Sequence, residues 1–171
     1  IVHLLLIFSV AQAADHRSGY HWARTSSSFT LGVIDSISNT GFNYWGNTWA
    51  TALDEWSQSN SFDLATIPGQ NDQVTRNDCP AEAGFIRVCN DDYGQQSWTG
   101  KAEWSYWYGE DGHDHMISCT VKLNDNKLRN NLEKDKLLCH ELGHCLVSLI
   151  QQLVFFLAFY KSNSVRLHLY H

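Results

Sequence analysis

Apolar residues recur along this chain in two rhythms. Phe29, Leu31 and Val33 alternate with smaller or polar neighbours, the period-two pattern of a strand over 29–34. Phe62 to Ile67, Phe85 to Cys89 and Met116 to Leu123 predict three more strands, with Ile117, Val121 and Leu123 of the last facing together. Trp45, Trp49, Ala52, Leu53 and Trp56 instead recur at intervals of three and four, which predicts a helix over 43–59 with its three indole rings turned into the core. A second helical pattern runs from Lys136 to Leu146, with Leu137, Leu138, Leu142, Leu146 and Leu149 on its buried side. Asn39-Thr40-Gly41, the polar loop Pro68 to Asp78 and the turn Asn90 to Gly94 separate these elements. Trp98 to Tyr108 is unusually aromatic. There Trp104, Tyr106 and Tyr108 share one face of a strand, a face that stacks on sugar rings or, more commonly, covers the sheet.

The second helix carries the chemistry. His140-Glu141-Leu142-Gly143-His144 is an H-E-x-x-H motif, and two histidines four residues apart project from one side of a helix, where both imidazoles reach a single Zn²⁺. The glutamate between them lies beside a metal-bound water, as a general base must. Three fixed positions recur by chance in roughly 2% of chains this long, and the apolar helical setting lowers that figure further. His140 and His144 are therefore the candidate metal ligands, Glu141 the candidate catalytic base and Zn²⁺ the expected cofactor.

Composition narrows the setting. At 171 residues the chain is one domain's worth. A net charge of -6 with no basic run disfavours nucleic acid and anionic membrane as partners. Residues 1–13 hold an apolar core, Val2 to Val10, followed by Ala11-Gln12-Ala13, the small-x-small pattern of signal-peptide cleavage. Export makes the five cysteines potential disulfide partners. Cys79 and Cys89 flank a compact segment and form the expected pair; Cys119, Cys139 and Cys145 remain, an odd number. Gly109 to His115 offers Asp111, His113, Asp114 and His115 as cation ligands, but without a fixed ligand spacing, and reads first as a solvated turn.

Taken in order, Tyr20 to Leu31, the Cys79–Cys89 spacing with Arg87-Val88-Cys89-Asn90, Tyr93-Gly94, Trp98-Thr99-Gly100, Ile117 to Asn124 and Cys139-His140-Glu141-Leu142-Gly143-His144 resemble the secreted matrixin-like metallopeptidases of the metzincin class. The resemblance spans about residues 20–146. It implies an α+β, zincin-like fold: a twisted, mostly parallel sheet with an edge antiparallel strand, a long helix and an active-site helix. It places the catalytic domain at 14–146 and a non-family tail at 147–171. It also implies a secreted, monomeric zinc endopeptidase acting on protein or peptide, and a substrate-binding edge strand that Ile117, Ser118, Cys119, Thr120 and Val121 match by position. Two alternatives remain: a secreted binding module that uses the aromatic face, and a pseudo-peptidase that holds peptide along the edge strand without cleaving it.

The pattern breaks immediately after His144. The metzincin motif continues to a glycine and a third histidine at positions 147 and 150, where this chain has Val147 and Ile150. No Asp or Glu follows Glu141, and the one methionine, Met116, lies upstream of the motif although the family places a methionine turn downstream. Residues 147–171 are apolar, then basic, then rich in His and Leu, and their apolar part falls short of the ~20 residues of a membrane helix. Val147-Ser148 is what a translated intron start, GTAAGT, encodes, so the expectation is that the family reading ends at an exon boundary. Sequencing of the spliced transcript tests this: Gly and His are expected at 147 and 150, and a transcript that encodes Val147 to His171 overturns it.

Overall fold

The structure, a computed structural model, describes residues 20–24, 26–39, 45–59, 61–127 and 131–146, with side chains in the last stretch from Glu133. The export segment 1–13 and the tail 147–171 lie outside the described residues. In chain order the elements are β1 (His21–Trp22), β2 (Phe29–Ser36), α1 (Gly46–Trp56), β3 (Phe62–Pro68), α2 (Gln73–Asp78), β4 (Phe85–Asp91), β5 (Gly100–Tyr108), β6 (Asp114–Asn124) and α3 (Asn131–Leu146).

Alternation builds the sheet. Leu31 and Val33 of β2, Ile86 and Val88 of β4, and Cys119, Val121 and Leu123 of β6 are buried together. β6, β4, β2 and β3 lie side by side in that order, all parallel; β1 pairs parallel with the start of β6 on the β4 side, and β5 pairs antiparallel with the other side of β6. The result is α+β with a mostly parallel sheet. Trp49, Ala52, Leu53 and Trp56 of α1, with Trp45 just before it, turn inward as their spacing predicts. The α3 residues Leu138, Leu142, Cys145 and Leu146 complete the same core.

Three features differ from expectation. The polar stretch 68–78 contains α2, which buries no residue and so leaves no apolar period to read. It forms because Asp72 accepts hydrogen bonds from the backbone N–H groups of Val74 and Thr75, each at 3.0 Å, and because Cys79 ends it in the left-handed region at φ 48°. Second, Ile117 to Val121 are not on an edge. β6 lies inside the sheet, with β5 along one side and β1 and β4 along the other, so its backbone groups already pair on both sides; the antiparallel edge strand is β5. Third, the aromatic face of β5 does not cover the sheet. Trp104, Tyr106 and Tyr108 are 36%, 48% and 71% exposed, because α3 meets β5 at its start, where Leu137 and Glu141 close on Gly100.

Two disulfides staple the fold. Cys79–Cys89 closes the segment between α2 and β4, as its spacing predicts, and Cys119–Cys145 ties the middle of β6 to the last turn of α3. Cys139 is the free cysteine. No helix among the described residues is long and apolar enough to cross a membrane. The second bridge closes a loop of 26 residues in sequence separation. Replacing both Cys119 and Cys145 by Ser is therefore expected to lower the unfolding free energy by about 3–4 kcal/mol. Urea unfolding measures it, and an unchanged midpoint contradicts the assignment.

Candidate metal centre

Helical spacing places Leu137, His140, Glu141 and His144 on one stripe of α3, and four contacts set where that stripe lies. Trp56 of α1 donates its indole N–H to the carbonyl of Cys139 at 3.0 Å. Trp22 of β1 donates to the carbonyl of Cys145 at 2.7 Å. At the start of the helix, Thr48 donates to Asp135 at 2.6 Å, and buried Lys134 sits 5.1 Å from the centre of the Trp45 ring. The motif is thus held from both ends, one by α1 and the other by β1 and the Cys119–Cys145 bridge.

On that stripe the two imidazoles meet. Nε2 of His140 and Nε2 of His144 are 3.0 Å apart, with the ring planes at 90°. Two nitrogens each about 2.0–2.1 Å from one tetrahedral Zn²⁺ stand about 3.3 Å apart, so the pair fits the chelating half of such a site with little adjustment. Burial holds both histidines below their ordinary value, and His140 is lowered further by the charge of His144. Both are accordingly neutral near pH 7, the form that ligates metal.

Glu141 is 6% exposed, and burial pushes its carboxyl up to about 7. Its nearest constraint is the backbone of β5. A methyl group at Gly100 would stand 2.7 Å from Glu141 Oε1 and 2.7 Å from Leu137 Cδ1, so only glycine lets the edge strand cross directly over the carboxyl. A carboxyl that titrates near neutrality, on the helix stripe that carries His140 and His144 and under the start of β5, can take and return a proton.

No family model, curated protein or solved structure matches the chain.

The structure brings His140 and His144 together, and it places Glu141 on the same stripe of α3, against Gly100. No group of three or more His, Cys, Asp or Glu among the described residues is arranged to hold a metal, so the described site has two donors and the base. The loop before β6 reads as a turn: Asp111 receives His115 Nε2 at 2.9 Å and turns back on its own hairpin. Cys139, next to the first histidine, stays a thiol, since burial and then the charge and hydrogen bond of Glu55 push it up to about 12. Gly100 is the residue that sequence reasoning missed. Its signal was a glycine inside an aromatic strand pattern, which marks close backbone approach.

The buried carboxyl gives a test on the metal-free protein. Its folded value lies above the ordinary carboxylate value, so its contribution to stability is present below about pH 4 and is lost as pH rises through 7. Glu141→Gln is then expected to be more stable than the parent at pH 8, by up to about 3 kcal/mol, and to converge with it near pH 4. Thermal unfolding across pH measures this, and parallel curves contradict it.

Proposed function

We propose that this chain is a secreted, monomeric zinc endopeptidase of the matrixin-like, metzincin type, hydrolysing peptide bonds in protein or peptide substrates. The observation that carries the reading is the His140–His144 pair, with Glu141 pressed against Gly100 at the antiparallel edge of the sheet. Zinc, when bound, supplies the Lewis acidity that makes water nucleophilic near neutral pH. Glu141 takes the proton of the attacking water on a carboxylate oxygen and passes it to the nitrogen of the leaving amine. Its elevated value suits both halves of that transfer.

β5 takes the place in this reading that Ile117 to Val121 held by position. Among the described residues its outer edge pairs with no other strand, so an extended peptide can add there by main-chain hydrogen bonds and pass Glu141 at Gly100. The export segment and the two disulfides support secretion. Among the described residues the site has two histidine donors, short of the three that catalytic zinc requires, so we propose that the chain carrying Val147 and Ile150 binds metal weakly. The exposed aromatic row on β5 favours a second reading, a binding module without hydrolysis.

One experiment separates them. Val147→Gly with Ile150→His is expected to raise zinc affinity by at least the roughly 100-fold that the strongest outer partners of a metal ligand command. It should also confer hydrolysis of an unfolded protein substrate, abolished by Glu141→Gln while zinc stays bound. No gain in zinc affinity and no cleavage overturns the peptidase reading.

A further inference from the structure

β5 presents one continuous face toward the α3 side. Gly100, Ala102, Trp104, Tyr106 and Tyr108 alternate along it, opposite Leu123, Val121, Cys119, Met116 and Asp114 of β6. The irregularity in this ladder falls on β6, where Ile117 is the extra residue, so the alternation of β5 is unbroken. Glu141 stands at one end of the face, against Gly100, and Asp114 at the other.

Between them the face is aromatic and open. The Tyr20 ring lies 4.3 Å from that of Tyr106 and 5.7 Å from that of Trp104, adding a third ring to the two that β5 provides there. The Tyr20 phenol is raised above its ordinary value first by its hydrogen bond to Tyr106, then by that neighbour's charge and by burial, and last by the charge of Asp114, so Asp114 stands within electrostatic reach of the rings. From Glu103 to His115 the hairpin has four acidic residues and neither Lys nor Arg. Glu103 is paired with Lys101 at 2.7 Å and Asp111 with His115, whereas Glu110 and Asp114 have no cationic partner among the described residues.

Exposed indole and phenol faces carry negative charge density, and a carboxylate at the end of their row adds a full charge. A neutral sugar or an apolar side chain would cover the rings and leave that charge uncompensated. A cation satisfies both, and among the described residues β5 offers an unpaired edge on which an extended chain can present one.

We infer that the Trp104–Tyr106–Tyr20 face, ending at Asp114, binds the Lys or Arg side chain of an extended peptide lying along β5. The placement of that side chain rests on the peptidase reading. At about 3.4 Å per residue the rings lie roughly 14–20 Å from Gly100, so the cation falls about four to six residues from the bond beside Glu141.

The test uses the full chain carrying Glu141→Gln and two labelled peptides that differ only in Arg against citrulline, its neutral isostere, with binding followed by fluorescence anisotropy. The Arg peptide is expected to bind roughly 10-fold tighter, with the preference shrinking at high salt. Tyr106→Ala and Asp114→Asn should each reduce the preference several-fold, and Glu110→Gln, on the exposed turn, should reduce it less. Equal affinity for the two peptides overturns the inference. So does a preference that survives both Tyr106→Ala and Asp114→Asn, or a charge-insensitive dimer that Tyr106→Ala dissociates, which would assign the face to a second copy. Peptide binding to this variant requires no turnover. A preserved Arg preference, without cleavage by the Val147→Gly, Ile150→His double variant, therefore sinks the peptidase reading and leaves the cation site standing.

Discussion

The close approach of α3 to the start of β5 governs this structure. Glu141 and Leu137 lie so near Gly100 that no side chain fits between helix and strand. That contact needs the helix fixed along its length, and the fold fixes it by several independent means. The Cys119–Cys145 bridge and the Trp22 indole hold its last turn, the Trp56 indole holds its middle, and Thr48 and the Trp45–Lys134 contact hold its first turns. Most of these anchors are tryptophans, which bury large surfaces and still satisfy a helix carbonyl or carry a cation on the ring. Three of the seven Trp in this chain, Trp22, Trp45 and Trp56, thus serve the placement of one helix.

Fixing the helix there has an electrostatic consequence. A carboxyl held under a strand, with no opposing charge beside it among the described residues, loses its water shell, and its charged form becomes costly. Two half-buried imidazoles beside it are held neutral for the same reason. A single divalent cation relieves both conditions, because it supplies positive charge to Glu141 and accepts two neutral nitrogens. The same strand continues outward as an exposed aromatic row that ends opposite Asp114, a carboxylate with no cationic partner among the described residues.

Much of this was legible in the residues. The alternation at Phe29, Leu31 and Val33 and the indole spacing from Trp45 to Trp56 report burial directly, and both elements formed where that spacing placed them. The H-E-x-x-H stripe converged because helix geometry alone brings i and i+4 together. Strand neighbours were not legible in that way. Nothing local to Met116–Leu123 says whether one or two strands flank it, since a buried interior strand and a half-buried edge strand share the same apolar positions. Helix α2 was hidden for the opposite reason, because its stability comes from the Asp72 cap and not from a buried face. Of the three cysteines left over, which two pair depended on where α3 crosses β6, a tertiary fact that no spacing encodes.

We propose that His140 and His144 share one metal ion. X-ray absorption at the zinc edge, on the full chain loaded with one equivalent of zinc, addresses it most directly. The account predicts imidazole scattering from two histidines at about 2.0–2.1 Å that drops to one in His144→Ala. Zinc bound without histidine scattering, or a spectrum that His144→Ala leaves unchanged, would contradict it.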